Sequence, residues 1–291
     1  MDSVFDHVYK ERLFSVFKAA IAFFEENNLS WYACGGTVLG AVRHKGIIPW
    51  DDDVDILMPR DDYNRLLDLK EKIESTGFEL LSLRDKGAYY TFAKFCDRST
   101  TYWERRSIPV INGVWVDIFP LDFTELKLTD YISRYRYFSR IQRRYHLSVC
   151  DYSLEDLKNA LHGKHIHLFI DIIRSLFLNK RLDSCYKTMC KISEMFAGEG
   201  EYAVSTCGVY GSREFFDRKW FESYEVVPFE DFHIRIPSGY HEYLKTMYGD
   251  YMQIPPINKR PHHSCYYVNL RERLTIDQIK VRLALGESCL Y

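Results

Sequence analysis

The chain has 291 residues, of which 46% are hydrophobic and 27% charged, and its formal net charge is −2. That length suits one large or two small domains with ample core. The near-neutral balance argues against a bulk nucleic-acid binder, which needs a basic face.

Residues 8–27 read as an amphipathic helix, with Leu13, Phe14, Phe17, Ile21 and Phe24 at helical spacing. A short strand at 31–34 follows, then a Gly35-Gly36 turn, and Thr37 is placed to cap a helix over 38–43. A strand, a small-residue turn and a helix start together offer backbone N–H groups to an anion, although a plain turn also accounts for Gly-Gly-Thr. Arg43, His44 and Lys45 fit either a cationic helix end closed by Gly46 or a phosphate contact.

Pro49-Trp50-Asp51-Asp52 reads as a turn and 53–58 as a strand. Alternation puts Val54, Ile56 and Met58 on the core face and Asp53 and Asp55 together on the other. Two carboxylates so placed repel unless a cation neutralises them, and hard oxygen ligands suit Mg²⁺ or Mn²⁺. A helix from Asp61 or Asp62 to 74 and strands at 78–83 and 89–96 come next. Lys94, inside the last of these, is either an edge cation or a phosphate contact. The stretch 113–120 alternates as a strand, with Trp115, Asp117 and Phe119 on one face. A lone aspartate there is costly to bury without a partner. A metal shared with Asp53 and Asp55 would supply one.

Beyond Asp122, residues 129–146 form a basic, aromatic helix bearing Arg134, Arg136, Arg140, Arg143 and Arg144. It is either a solvated face or a docking face for an anionic or lipid-linked acceptor. Helices are expected at 153–161, 165–178 and 181–196. Short strands are expected at 203–207, 224–229 and 233–236, the last two a hairpin about Glu230-Asp231, then a helix at 240–247 and an extended loop at 254–263. The expected division is a catalytic core at 1–125, with 126–291 as a helical region and C-terminal block packed on it.

The eight cysteines form no CxxC pair, so a zinc knuckle is not expected. The N-terminus lacks a basic region followed by an apolar one, so no secretory signal is expected. The thiols read as reduced, in a cytoplasmic protein. No apolar run reaches the roughly 18 residues of a spanning helix; 166–178 is interrupted by Asp171 and Arg174. The 22 Tyr, 19 Phe and 5 Trp serve packing or a carbohydrate- or cation-binding surface.

The pattern Gly35-Gly36-Thr37, Arg43-His44-Lys45-Gly46, Pro49-Trp50-Asp51-Asp52-Asp53-Val54-Asp55 resembles the LicD family of phosphotransferases, within the nucleotidyltransferase superfamily. Asp117 matches the superfamily's third acid. Tyr248-Gly249-Asp250-Tyr251-Met252 with Pro255-Pro256 resembles the family's C-terminal block. The resemblance implies an α+β, nucleotidyltransferase-like mixed sheet flanked by helices, with a helical insertion and a small C-terminal hairpin plus helix. It implies transfer of a phosphorylated alcohol, best known as phosphocholine from CDP-choline, to a hydroxyl of a cell-surface glycan or its lipid-linked precursor.

In that reading Asp53, Asp55 and Asp117 hold Mg²⁺ or Mn²⁺. Gly35, Gly36 and Thr37 cradle a phosphate, and Arg43 and Lys94 stabilise charge. His44, Arg260, His262 and His263 are weaker candidates for the same work, with structural or solvent-facing places as the alternative. A choline headgroup needs aromatic faces, for which Trp50, Trp103, Trp115 and Tyr102 are candidates. The 134–144 segment is a candidate contact with the inner face of the cytoplasmic membrane, and no nucleic-acid partner is expected. The rival readings are a nucleotide-sugar glycosyltransferase with a paired-aspartate motif and a non-catalytic glycan-binding protein.

Overall fold

The computed structural model describes residues 3–85, 88–163, 166–177, 191, 196, 198–208, 210–260 and 265–287. The first helix, α1 (Ser3–Glu26), turns one apolar face inward, with Leu13, Phe17, Ala20 and Phe24 fully buried. Burial of each such phenyl ring contributes about 1.5–3 kcal/mol. A short strand β1 (Tyr32–Ala33) leads into α2 (Gly35–His44), then β2 (Asp55–Pro59), α3 (Arg60–Asp68) and α4 (Lys70–Glu74). Strands β3 (Phe78–Leu81), β4 (Ala93–Asp97), β5 (Thr101–Trp103) and the long β6 (Trp115–Thr124) follow.

The main sheet has the order β1-β2-β6-β4-β3, with β2 and β6 parallel and the other neighbours antiparallel. The architecture is therefore mixed α+β, and α1 lies across β4 and β6. Phe95 and Val116, paired across β4 and β6, point to the α1 side, where Phe95 meets Phe23 and Phe24. Alternation sends Asp117 and Lys94 to the opposite face. Arg60 Nε and Nη2 donate to the two oxygens of Asp122 at 2.6 and 2.7 Å, a buried fork that ties α3 to β6.

Helices α5 (Leu128–Val149), α6 (Leu154–His162) and α7 (Ile166–Phe177) come next. Strand β7 (Tyr202–Val204) pairs with the far end of β6, and β8 (Phe215–Asp217) with β7, so the sheet curls. Strands β9 (Tyr224–Phe229) and β10 (Phe232–Pro237) form the expected hairpin, with Glu230 in the left-handed region at φ 52°. After it come α8 (Tyr240–Tyr248), β11 (Tyr267–Asn269), which pairs with β5, and α9 (Ile276–Ala284). One hydrophobic core draws on Leu13, Ile56 and Ile118 and equally on Phe216, Phe229, Tyr243 and Leu270.

Several expectations change. Thr37 is not a helix cap: α2 begins at Gly35, behind an extended Cys34 that makes no side-chain cap bond. The Thr37 hydroxyl instead accepts the Asp55 N–H at 2.9 Å. Lys45, not Gly46, takes the left-handed position closing α2, at φ 63°. The helix expected to 74 breaks at Leu69 into α3 and α4. Lys94 is no edge cation, because β4 lies between β3 and β6. Strands β5, β8 and β11 and helix α9 join the expected elements. The helix expected at 181–196 falls almost wholly outside the described residues, as do His262 and His263.

Candidate active site

Three strands bring their side chains together in a single row. Asp55 on β2 pairs in register with Asp117 on β6, and Asp117 with Lys94 on β4. In-register neighbours share a face, so carboxylate, carboxylate and ammonium stand side by side across three strands. Asp53 joins them from the loop before β2: ligand-capable oxygens of Asp53, Asp55 and Asp117 lie within 4.8 Å of one another.

The backbone fixes this arrangement from several directions. Cys34 N–H donates to the Asp55 carbonyl at 3.0 Å, and Asp117 N–H to the Val54 carbonyl at 2.9 Å. Helix α1 holds the acidic loop from outside: Tyr9 OH donates to the Asp52 carbonyl at 2.9 Å and Lys10 Nζ to the Pro49 carbonyl at 2.8 Å. The two glycines make room for carboxylates. Gly35 sits at φ 53°, and a Cβ there would lie 2.7 Å from Asp55 Oδ2; one on Gly36 would lie 2.5 Å from Asp51 Oδ2.

The expected phosphate cradle narrows to one group. Gly35 N–H donates to the Tyr243 hydroxyl at 2.9 Å, and the N–H groups of Thr37 and Val38 both go to the Cys34 carbonyl. Gly36 N–H, on the cavity wall, is the remaining candidate of this turn.

The cavity above the row has a volume of about 730 Å³. Among the described residues its walls carry seven carboxylates (Asp51, Asp53, Asp55, Glu104, Asp117, Glu214 and Asp250) against three cationic side chains (Arg43, Lys94 and Arg105). Enclosure, with repulsion from Asp53, Asp117 and Asp51, pushes Asp55 well above the ordinary carboxylate range, against the pull of Lys94. Burial raises Asp117 to about 6, opposed by Lys94. Lys94 is 2% exposed, and its ammonium lies 2.8 Å from Asp117 Oδ1 and 3.3 Å from Glu104 Oε1. It is thus an internal counter-charge to the acids rather than an open phosphate contact.

Three convergent carboxylates, mutually repelling and facing a cavity, are a hard-oxygen donor set that fits Mg²⁺ or Mn²⁺. A bare anionic diphosphate would be repelled by the same walls, so cations would serve ligand and protein together.

Arg43 lines the cavity with one guanidinium nitrogen committed to the Tyr251 carbonyl at 2.7 Å. Burial lowers its pKa. His44 packs edge-on against Trp50, and the Arg260 guanidinium lies 4.0 Å from the Trp50 ring centre. Trp50, Trp115 and Tyr102 line the cavity. Trp103 does not: it is buried beside Tyr267 and Leu274, with its indole N–H donated to the Ile108 carbonyl at 2.7 Å.

The sequence reading leaves out Glu104, Glu214 and Tyr210, and it gives no site role to Tyr243 or to Tyr248 of the C-terminal block; all five are on the cavity wall. Glu104, Glu214 and Tyr210 sit in no spaced motif, and tertiary packing alone brings them in. All five arginines of α5 named above are exposed, with Arg143 paired to Asp171 at 2.6 Å. Among the described residues no helix is long and apolar enough to cross a membrane.

The sequence is similar to known proteins. The family model described as "LicD/FKTN/FKRP, nucleotidyltransferase domain" matches residues 28–158, which carry the row and the glycine turn. The lipopolysaccharide cholinephosphotransferase LicD of Haemophilus influenzae is 28% identical over 251 residues, covering 82% of this chain and 88% of that protein. An uncharacterised protein of Rickettsia prowazekii is 32% identical over 112 residues, 38% of this chain and 41% of that protein.

Proposed function

We propose, from the premise that this chain carries a LicD-family domain, that it moves a phosphorylated alcohol, phosphocholine from CDP-choline, onto a glycan hydroxyl and releases CMP. The observation that carries the proposal is the convergence of Asp53, Asp55 and Asp117 on one cavity wall. The similarity to a lipopolysaccharide cholinephosphotransferase over most of the chain supports the substrate class. The curled sheet with its three acids is read as nucleotidyltransferase-like.

The acceptor oxygen attacks the phosphorus that bears the alcohol, and the bond from that phosphorus to the bridging oxygen of CMP breaks. The proton of the hydroxyl goes to a base, and the product is a phosphodiester. Asp53, Asp55 and Asp117 would hold Mg²⁺ or Mn²⁺. Such ions, when bound, stabilise the entering and leaving oxygens of an in-line displacement. Asp117 orients the acceptor hydroxyl and takes its proton, and Lys94 fixes the Asp117 carboxylate from the neighbouring strand. Gly36 N–H and Arg43 steady the donor phosphates. The cavity walls exclude water, which would otherwise compete with the acceptor.

The enzyme works in the cytoplasm, with the exposed arginines of α5 as the docking face for a lipid-linked acceptor at the membrane. Incubation with a panel of CDP-alcohols, Mg²⁺ and glycan acceptor tests the reading. CMP release with phosphocholine mass added to the glycan is expected. Release of CDP or UDP from a nucleotide sugar would instead mean glycosyl transfer.

A further inference from the structure

The aromatic rings around the cavity differ in what lies over them. Those of Tyr90 and Trp115 are already occupied, with the Lys94 ammonium 4.3 and 4.1 Å from their centres. Trp50 is likewise covered by Arg260. A separate set, apart from Phe92, Tyr102, Phe119 and Tyr251 on the same wall, is Tyr210, Tyr243 and Tyr248. Tyr210 and Tyr248 meet edge to face with centres 5.6 Å apart and hydroxyls 3.4 Å apart. Among the described residues no lysine or arginine lies over these three rings.

Beside them is Glu214, 5% exposed and on the cavity wall. Its carboxylate accepts the Tyr210 N–H at 2.8 Å. It rests against Gly208, where any Cβ would collide with it. Among the described residues it has no ion-pair partner, although burying an unpaired carboxylate is costly. Burial raises it to about 7, and a fixed positive charge alongside would hold it ionised.

The chemistry at Asp53, Asp55 and Asp117 makes no use of Glu214. Yet the tyrosines touch both: Tyr210 N–H donates to Glu214, and the Tyr243 hydroxyl accepts the Gly35 N–H beside Asp55.

We propose that Glu214 with the rings of Tyr210 and Tyr248 forms the subsite for a quaternary ammonium headgroup on the donor alcohol, an inference that rests on the transfer reading above. A quaternary ammonium has no N–H to donate, so it selects ring faces and a nearby carboxylate over a set of hydrogen-bond acceptors. The headgroup would neutralise Glu214, while the donor phosphates reach the acidic row past Tyr243.

Titration calorimetry in Mg²⁺ tests this with three probes: CMP, phosphocholine, and the neutral isostere in which a tert-butyl group replaces the trimethylammonium. Wild type should bind phosphocholine about tenfold more tightly than the isostere. Glu214→Gln should bring that ratio toward one and leave CMP affinity unchanged. Tyr210→Leu, at a ring 37% exposed and so tolerant of truncation, should also lower the ratio and decides the matter if Glu214→Gln fails to fold. Equal wild-type affinities, no phosphocholine binding, or a ratio unchanged in the variants would overturn the proposal. A protein that keeps the ratio but releases no CMP from CDP-choline would refute the transfer reading and leave the subsite standing.

Discussion

Replacing Glu214 with glutamine should change how stability depends on pH. Burial moves this carboxyl from an ordinary 4.5 to about 7. Between those values the folded protein holds a proton that the unfolded chain has released. Its contribution is therefore fully present below pH 4.5 and is lost as pH rises toward 7. At about 1.4 kcal/mol per pH unit, the window amounts to about 3 kcal/mol. Glutamine has no such window and keeps an oxygen for the Tyr210 N–H. Its amide adds a constant offset, so the informative quantity is the difference between two pH values.

Urea unfolding of both proteins near pH 4 and near pH 8 measures it. The variant should gain about 3 kcal/mol relative to wild type over that interval. Saturating phosphocholine, which supplies the missing positive charge, should shrink the gain. Parallel pH profiles would refute the view that Glu214 is a buried acid without a counter-charge.

Three further substitutions probe the acidic row. Asp55→Asn should abolish CMP release while the circular dichroism spectrum stays native, and should remove the rise in Tm that Mg²⁺ gives the wild type; undiminished turnover would contradict the metal assignment. Lys94→Met leaves Asp117 and Glu104 without their shared cation and should cost about 3–5 kcal/mol, and a loss below about 1 kcal/mol in urea unfolding would mean the pair is not buried as described. Gly35→Ala combines a left-handed φ with a Cβ 2.7 Å from Asp55 Oδ2. It should cost about 1–2 kcal/mol of stability and a larger share of kcat/KM, and an unchanged kcat/KM would show that Asp55 has room to move without consequence.

What the sequence reveals and conceals follows from the range of the interactions. Asp55 and Asp117 stand out because alternation along a strand is local, and an apolar neighbour on either side marks the opposite face; Asp53, expected on the same strand, lies in the loop before β2, which begins at Asp55. Their pairing across β2 and β6 depends on a parallel register, which no local pattern encodes. Lys94 lies inside a recognisable strand, yet its place in the sheet decides whether it is an edge cation or an internal counter-charge. Thr37 has the chemistry of a cap but serves Asp55, because Cys34 already occupies the position before α2.

Strands β5, β8 and β11 are three residues long, too short for alternation to register. Helix α9 was within reach, since Thr275 and Gln278 form a capping box with the spacing that marks a helix start. Glu214 had no such signal, because Arg213-Glu214-Phe215 resembles any surface turn until Gly208 and Tyr210 fold over it.

The central claim is that three aspartates on one cavity wall hold divalent ions for phosphoryl transfer. The most direct measurement is CMP release from CDP-choline by wild type, with Mg²⁺ and then with excess EDTA, in the presence of a glycan acceptor whose mass is followed. The account predicts CMP and phosphocholine-modified glycan in equal amounts with Mg²⁺, neither with EDTA, and recovery when Mg²⁺ is restored. Undiminished CMP release and glycan modification in EDTA would contradict it.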